Sequence, residues 1–209
     1  MNITVVFLLG LVIAFIGVIP PGLLNMSAAK ISLKEGPGRG IIFSLGVCVI
    51  VCLQTFVAAI FARYLSNHPN VVDILQRVAF VIFVLITVYF LLLARKQPKS
   101  LVPTPIKSKH SRFFQGMLLS SLNVFPVPFQ AYMTLTISSF GWMTFEAISI
   151  GSYVAGSACG TFVMLYIYIF FFEKIKGRAF TSQKNMNYFI GTVTGLVAVF
   201  TLINIIREL

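Results

Sequence analysis

Residues 1–30 read MNITVVFLLGLVIAFIGVIPPGLLNMSAAK, and the fold turns on how that stretch is read. A membrane-crossing helix needs about 20 mostly apolar residues, and the first charge here is Lys30. The segment lacks the basic n-region and small-x-small cleavage site of a signal peptide, and its apolar run from Ile3 to Pro20 is longer than a usual h-region. It reads as a retained first helix, residues 3–29, interrupted at Pro20 and Pro21. Each proline removes an N–H and clashes with the carbonyl four residues back, so two together unwind the turn. At membrane depth, freed backbone groups are tolerated only where protein buries them or where they line a watery cavity.

The same device recurs in residues 113–139, FFQGMLLSSLNVFPVPFQAYMTLTISS, which are uncharged and hold Pro126 and Pro128. Four further apolar runs, 40–61, 74–94, 144–172 and 187–206, complete six predicted spans. Composition agrees, with 58% hydrophobic and 10% charged residues. A soluble domain carries about 25% charged residues, so this chain could not clothe its apolar core in water. The expected fold is an all-α integral membrane protein in a single domain spanning 1–209.

Net charge is +11, yet nucleic acid is an unfitting partner. Nucleic-acid binders gather their bases on one soluble face, whereas here the bases lie between apolar runs. Lys30, Lys34 and Arg39; Arg95, Lys96, Lys99, Lys107, Lys109 and Arg112; and Lys174, Lys176, Arg178 and Lys184 fall in alternate connections. Short cytoplasmic loops retain Lys and Arg. Both termini are therefore expected outside a plasma (inner) membrane. The polar connection 95–112, with three prolines, reads as a solvated cytoplasmic linker, and anionic lipid headgroups would attract its bases.

A shift of 105 residues brings the halves into partial agreement. Pro21 meets Pro126, Gly36 meets Gly141, Ser44 meets Ser149, Gly46 meets Gly151, and Asn25 meets Gln130. Repeat one is 1–94 and repeat two 113–209. With three helices each, the halves must insert in opposite orientations, a recurring design of transporters. Broken helices at matching positions in two halves point to a transport site.

The candidate substrate-binding residues follow from those breaks. Pro21, Gly22, Pro126 and Pro128 shape them; Asn25, Gln130, Asn123, Gln54 and Tyr132 supply polar contacts. Half-helix N-termini suit a carboxylate, and freed carbonyls suit an ammonium. A zwitterion fits both. The competing reading is structural: the prolines kink packed helices and the amides bond the freed carbonyls.

At these residues the chain resembles the LysE/RhtB-type amino-acid exporter family. Pro21-Gly22 matches the opening of that family's Pro-Gly-Pro motif, Asn25 falls on its second polar position, and Gly36, Arg39 and Gly46 follow at suitable spacing. Leu23 replaces the second Pro, Leu24 stands at the other polar position, and the Asn-Pro-Lys signature survives only as Asn123. The resemblance is that of a divergent member. It implies a secondary transporter, not an enzyme, exporting amino acids or related small zwitterions, with proton coupling and without a cofactor.

Coupling has no evident carrier in the sequence. Glu35, Asp73, Glu146, Glu173 and Glu208 all lie at helix ends or in loops and read as surface charges, whereas proton relays place ionisable groups within the membrane. Cys48, Cys52 and Cys159 lie in apolar runs and read as small apolar fillers. An alternative function is metal or inorganic-ion export, which wants carboxylates, His or thiolates. A third is a membrane thiol–disulfide relay, for which the 105-residue shift supplies no cysteine from each half. No metal site is expected. Ser152, Gly156 and Gly160, and Gly191 and Gly195, have small-xxx-small spacing. They read as packing within the chain, with a homo-oligomer contact as the other use of that stripe. Trp142 and Tyr188 read as interfacial anchors.

Overall fold

The computed structural model describes residues 2–20, 22–68, 71, 77, 80, 81, 84, 85, 87–93, 108–175, 188, 191, 192, 195, 198, 199, 202, 203 and 206. Regular structure among them is helical throughout. We number the helices α1 (Ile3–Val18), α2 (Leu23–Glu35), α3 (Pro37–Ser66), α4 (Lys109–Ser121), α5 (Pro126–Ser139) and α6 (Ala147–Ile175); a π turn spans Tyr89–Leu93. Pro21, nine of the 21 residues of the predicted third span, eleven of the 20 of the sixth and most of the basic linker lie outside the described residues.

By length and composition α3 and α6 are able to cross a membrane, and α1 with α2 makes a third span if the bent pair is one crossing. Those two helices meet at 79°. The outward faces of α1, α3 and α6 carry exposed Val12, Ile16, Leu53, Val57, Phe170 and Phe171. An apolar exterior of this kind fits association with a membrane, since soluble monomers rarely show large apolar patches.

The chain forms two compact units, Met1–Ser66 with Thr104–Ile175, and Asn67–Pro103 with Lys176–Leu209. Each unit draws on both halves of the sequence. In the second, the space in front of Gly191 is filled by the Leu91 side chain, and that in front of Gly195 by Thr87.

The first unit is built on two backbone crossings. Where α1 crosses α6, a methyl on Gly10 would strike the Tyr153 carbonyl and one on Gly156 the Phe7 carbonyl. Where α4 crosses α3, a methyl on Gly116 would strike the Phe43 carbonyl and one on Gly46 the Phe113 carbonyl. Only residues without a Cβ allow such approach. The crossings correspond residue by residue. Phe7, Gly10 and Leu11 map onto Phe113, Gly116 and Met117 by a shift of 106; Phe43, Gly46 and Val47 map onto Tyr153, Gly156 and Ser157 by a shift of 110. Helix starts obey the same shifts, Ile3 onto Lys109 and Pro37 onto Ala147.

A single shift of 105 therefore does not describe the packing of α3 and α6. It holds at the turns Gly36 and Gly141, both with positive φ, 93° and 73°. Beyond Gly36 the next helix starts at once, whereas residues 142–146 intervene before α6. That insertion slides the register and leaves Gly151, the expected partner of Gly46, facing open space. Gly156 and Gly160 both pack on α1, so this stripe is spent within the chain.

Helix ends also differ from expectation. The first broken pair runs to Glu35 and α3 to Ser66, beyond 29 and 61. Basic and polar termini carry these helices past their apolar spans. The end of the linker is helical, because Ser108 accepts a hydrogen bond from the Ser111 N–H and caps α4.

Candidate functional site

At the first break, α1 stops at Val18 and Gly22 leads into α2 with extended backbone and no side-chain cap. Side chains answer three carbonyls there. The Asn25 amide donates to the Val18 and Pro20 carbonyls at 2.6 and 2.9 Å. Tyr168 of α6 donates its hydroxyl to the Ile19 carbonyl at 2.8 Å. Asn25 is only 3% exposed. A buried carbonyl left unpaired costs about 1–3 kcal/mol, which is why a break this deep needs such residues.

At the second break, between Ser121 and Pro126, the supporting amide comes from a different helix. Gln54 of α3 donates Nε2 to the carbonyls of Ser120 and Asn123 at 3.1 and 2.8 Å. These two bonds fix which end of the amide is which. Its Oε1 is buried and has no hydrogen-bond partner among the described residues.

The start of α5 does not offer the N–H platform the sequence suggested. Pro126 and Pro128 have no N–H, Val127 donates to the Val124 carbonyl, and Phe129 donates to the Phe125 carbonyl. The first turn of α5 is thus no anion-binding platform.

Next to this break lies a buried polar chain joining three helices. Gln130 of α5 accepts from the Tyr153 hydroxyl at 2.6 Å and donates to Ser157 Oγ at 2.9 Å, both on α6. Ser157 in turn shares a hydrogen with Thr55 Oγ1 of α3 at 3.2 Å. Tyr153, Ser157 and Thr55 are fully buried and Gln130 nearly so. The two breaks approach through Phe129, whose ring lies over Gly17 at the end of α1 and stacks on Phe125 with centroids 6.0 Å apart.

The structure thus gathers Gln54, Asn123, Pro126 and Gln130 at one break and places Gly22 and Asn25 at the other. Pro128 is exposed on α5. Tyr132, 55% exposed, points away from Gln130, as two residues on a helix must, being about 200° apart. Tyr153, Ser157, Thr55 and Tyr168 were not foreseen. Only the one-turn spacing of Tyr153 and Ser157 in an apolar run hinted at a polar stripe.

Glu35 departs furthest from its expected place. Far from being a surface charge, its side chain is 4% exposed. Arg112 of α4 grips it with both arms, Nε to Oε2 at 2.9 Å and Nη2 to Oε1, and gives Nη1 to Gln115. Arg39 adds a bond to the Glu35 carbonyl at 3.1 Å and lies 3.9 Å from its carboxylate. Sequence distance hid the pair, since 77 residues separate its members. Glu146 is exposed.

The three thiols are free. Cys48 lies against the Ala158 carbonyl at 3.7 Å, next to Cys159, so α3 and α6 bring cysteines of both halves closer than the 105 shift implied. Among the described residues no three His, Cys, Asp or Glu side chains are grouped to hold a metal ion. No family model, curated protein or solved structure matches the chain.

Proposed function

We propose that the protein is a secondary transporter of the cytoplasmic membrane that exports amino acids or closely related small zwitterions. In this reading the six spans are two inverted three-helix repeats, with both termini outside. The observation that carries it is the pair of helix breaks at matching places in the two halves, each held open by amides within an apolar bundle. Matching crossings at Gly10 with Gly156 and at Gly116 with Gly46 support the internal symmetry. Two equivalent packings of one bundle are what alternating access requires.

The two breaks divide the work of holding a zwitterion. The uncapped start of α2 suits a carboxylate. Gln54 Oε1, oriented by its own amide bonds, is a buried acceptor for an ammonium N–H. Phe129, between the breaks, sets how close the two charges sit. The LysE/RhtB-type resemblance points to the same class of solute.

Efflux from cells loaded with dipeptides tests the proposal. Amino-acid release should depend on the protein and be lost in Gln54→Leu and Gln130→Leu at normal membrane levels. Unchanged release across a broad amino-acid panel, with and without the protein, overturns it.

A further inference from the structure

We infer that Glu35 and Arg112 form an ionic latch that closes one mouth of the bundle and opens during the transport cycle. The inference rests on the alternating-access reading above, and on the basic connections marking this mouth as cytoplasmic. The pair joins α2, which follows the first break, to α4, which begins the second half. α2 packs mainly on α3 and α6 and barely touches α4 otherwise. A two-pronged bond is thus the chief tie between these two helices. Beneath it lies an apolar cluster of Ala28, Ile31, Phe43, Val47 and Leu165, with Leu119 against it.

The corresponding mouth at the other end is built differently. The shift of 106 carries Arg112 back to Val6, which is fully buried with Ala59, Ile137, Met143 and Ile150. One end is sealed by charge and the other by apolar contact. An ion pair suits a contact that must part, because water solvates both partners once the mouth opens and offsets the lost attraction. Apolar surfaces gain nothing comparable on exposure. The latch therefore makes the two states of the cycle unequal and sets which mouth rests closed.

The test reads access to the cluster under the latch. A cysteine-free chain carries Ala28→Cys there, or Ile150→Cys at the opposite end, and an impermeant maleimide is applied to either face of membrane vesicles. Neutralising Glu35→Gln or Arg112→Gln should speed labelling of position 28 from the cytoplasmic face by about tenfold, the factor given by 1.4 kcal/mol. Labelling of position 150 should not rise, because in alternating access opening one mouth keeps the other closed. The double variant should label no faster than either single, since the second change removes a bond already lost. Glu35→Asp, which keeps the charge with a shorter reach, should fall between and carries the same test if the neutral variants do not assemble. Unchanged labelling at position 28, equal acceleration at 150, or additive singles overturns the latch. Labelling needs no solute, so a failed efflux screen alongside a responding latch would discard the zwitterion and keep the gate.

Discussion

The crossing of α1 with α6 and the crossing of α4 with α3 share one backbone design and almost none of their chemistry. Both place glycine against a carbonyl on each helix, in registers that agree over six residues. Around the first, Tyr153 and Ser157 bond Gln130. Around the second, the equivalent positions are Phe43 and Val47, inside the apolar cluster with Leu165. Charge is distributed in the opposite sense, with Arg112 and Glu35 beside the apolar corner and Val6 beside the polar one. The two crossings share their backbone packing and differ in which side chains, polar or apolar, line them.

If the crossings are equivalent, damage to them should be equivalent too. Gly46→Val and Gly156→Val each drive a branched side chain into a main-chain carbonyl that has no rotamer to yield. Overpacking costs about 1–3 kcal/mol and more where the neighbour is rigid, so both should sharply reduce folded protein recovered in detergent. Gly151→Val, facing open space, should be recovered like the parent. A large loss at one crossing with none at the other would break the comparison.

The two helix breaks give the next largest effect. Asn25→Leu orphans the Val18 and Pro20 carbonyls, and Gln54→Leu orphans those of Ser120 and Asn123. At about 1–3 kcal/mol per unpaired buried group, each should lower the thermal midpoint measurably. They should differ in function. Tyr168 still holds the Ile19 carbonyl in the first case, whereas loss of Gln54 also removes the free acceptor. Efflux should therefore fall further in Gln54→Leu than in Asn25→Leu at matched stability.

Much of this was legible in the sequence because hydrophobic runs and prolines act locally. The breaks after Val18 and before Pro126, the pairing of Gly36 with Gly141, and the choice of Asn25, Gln54 and Gln130 as polar candidates all follow from residue type and spacing. Which partner each amide finds did not follow. Asn25 turned inward to its own break, a competing structural use that the sequence left open, while Gln54 serves a break 66 and 69 residues away. The register was misread because five residues after Gly141 slide α6 along its partners, and apolar helices tolerate any alignment equally well. Glu35 looked exposed because it sits at a helix end; only the fold supplies Arg112.

The smallest effect probes whether the polar corner serves stability or transport. Thr55→Val keeps the shape of the side chain and removes one hydroxyl, leaving Ser157 still bonded to Gln130. A hydrogen bond of this kind contributes about 0.5–1.5 kcal/mol net, and here one partner remains satisfied, so the thermal midpoint should move little. Yet Thr55 follows Gln54 on α3 and ties that helix to the Gln130 chain. If the corner exists to hold α3 and its acceptor in register with α5 and α6, efflux should drop several-fold while stability is nearly kept. Equal retention of both would mean that Gln130, Tyr153 and Ser157 form a packing network of α5 with α6 alone, and that the solute is held elsewhere.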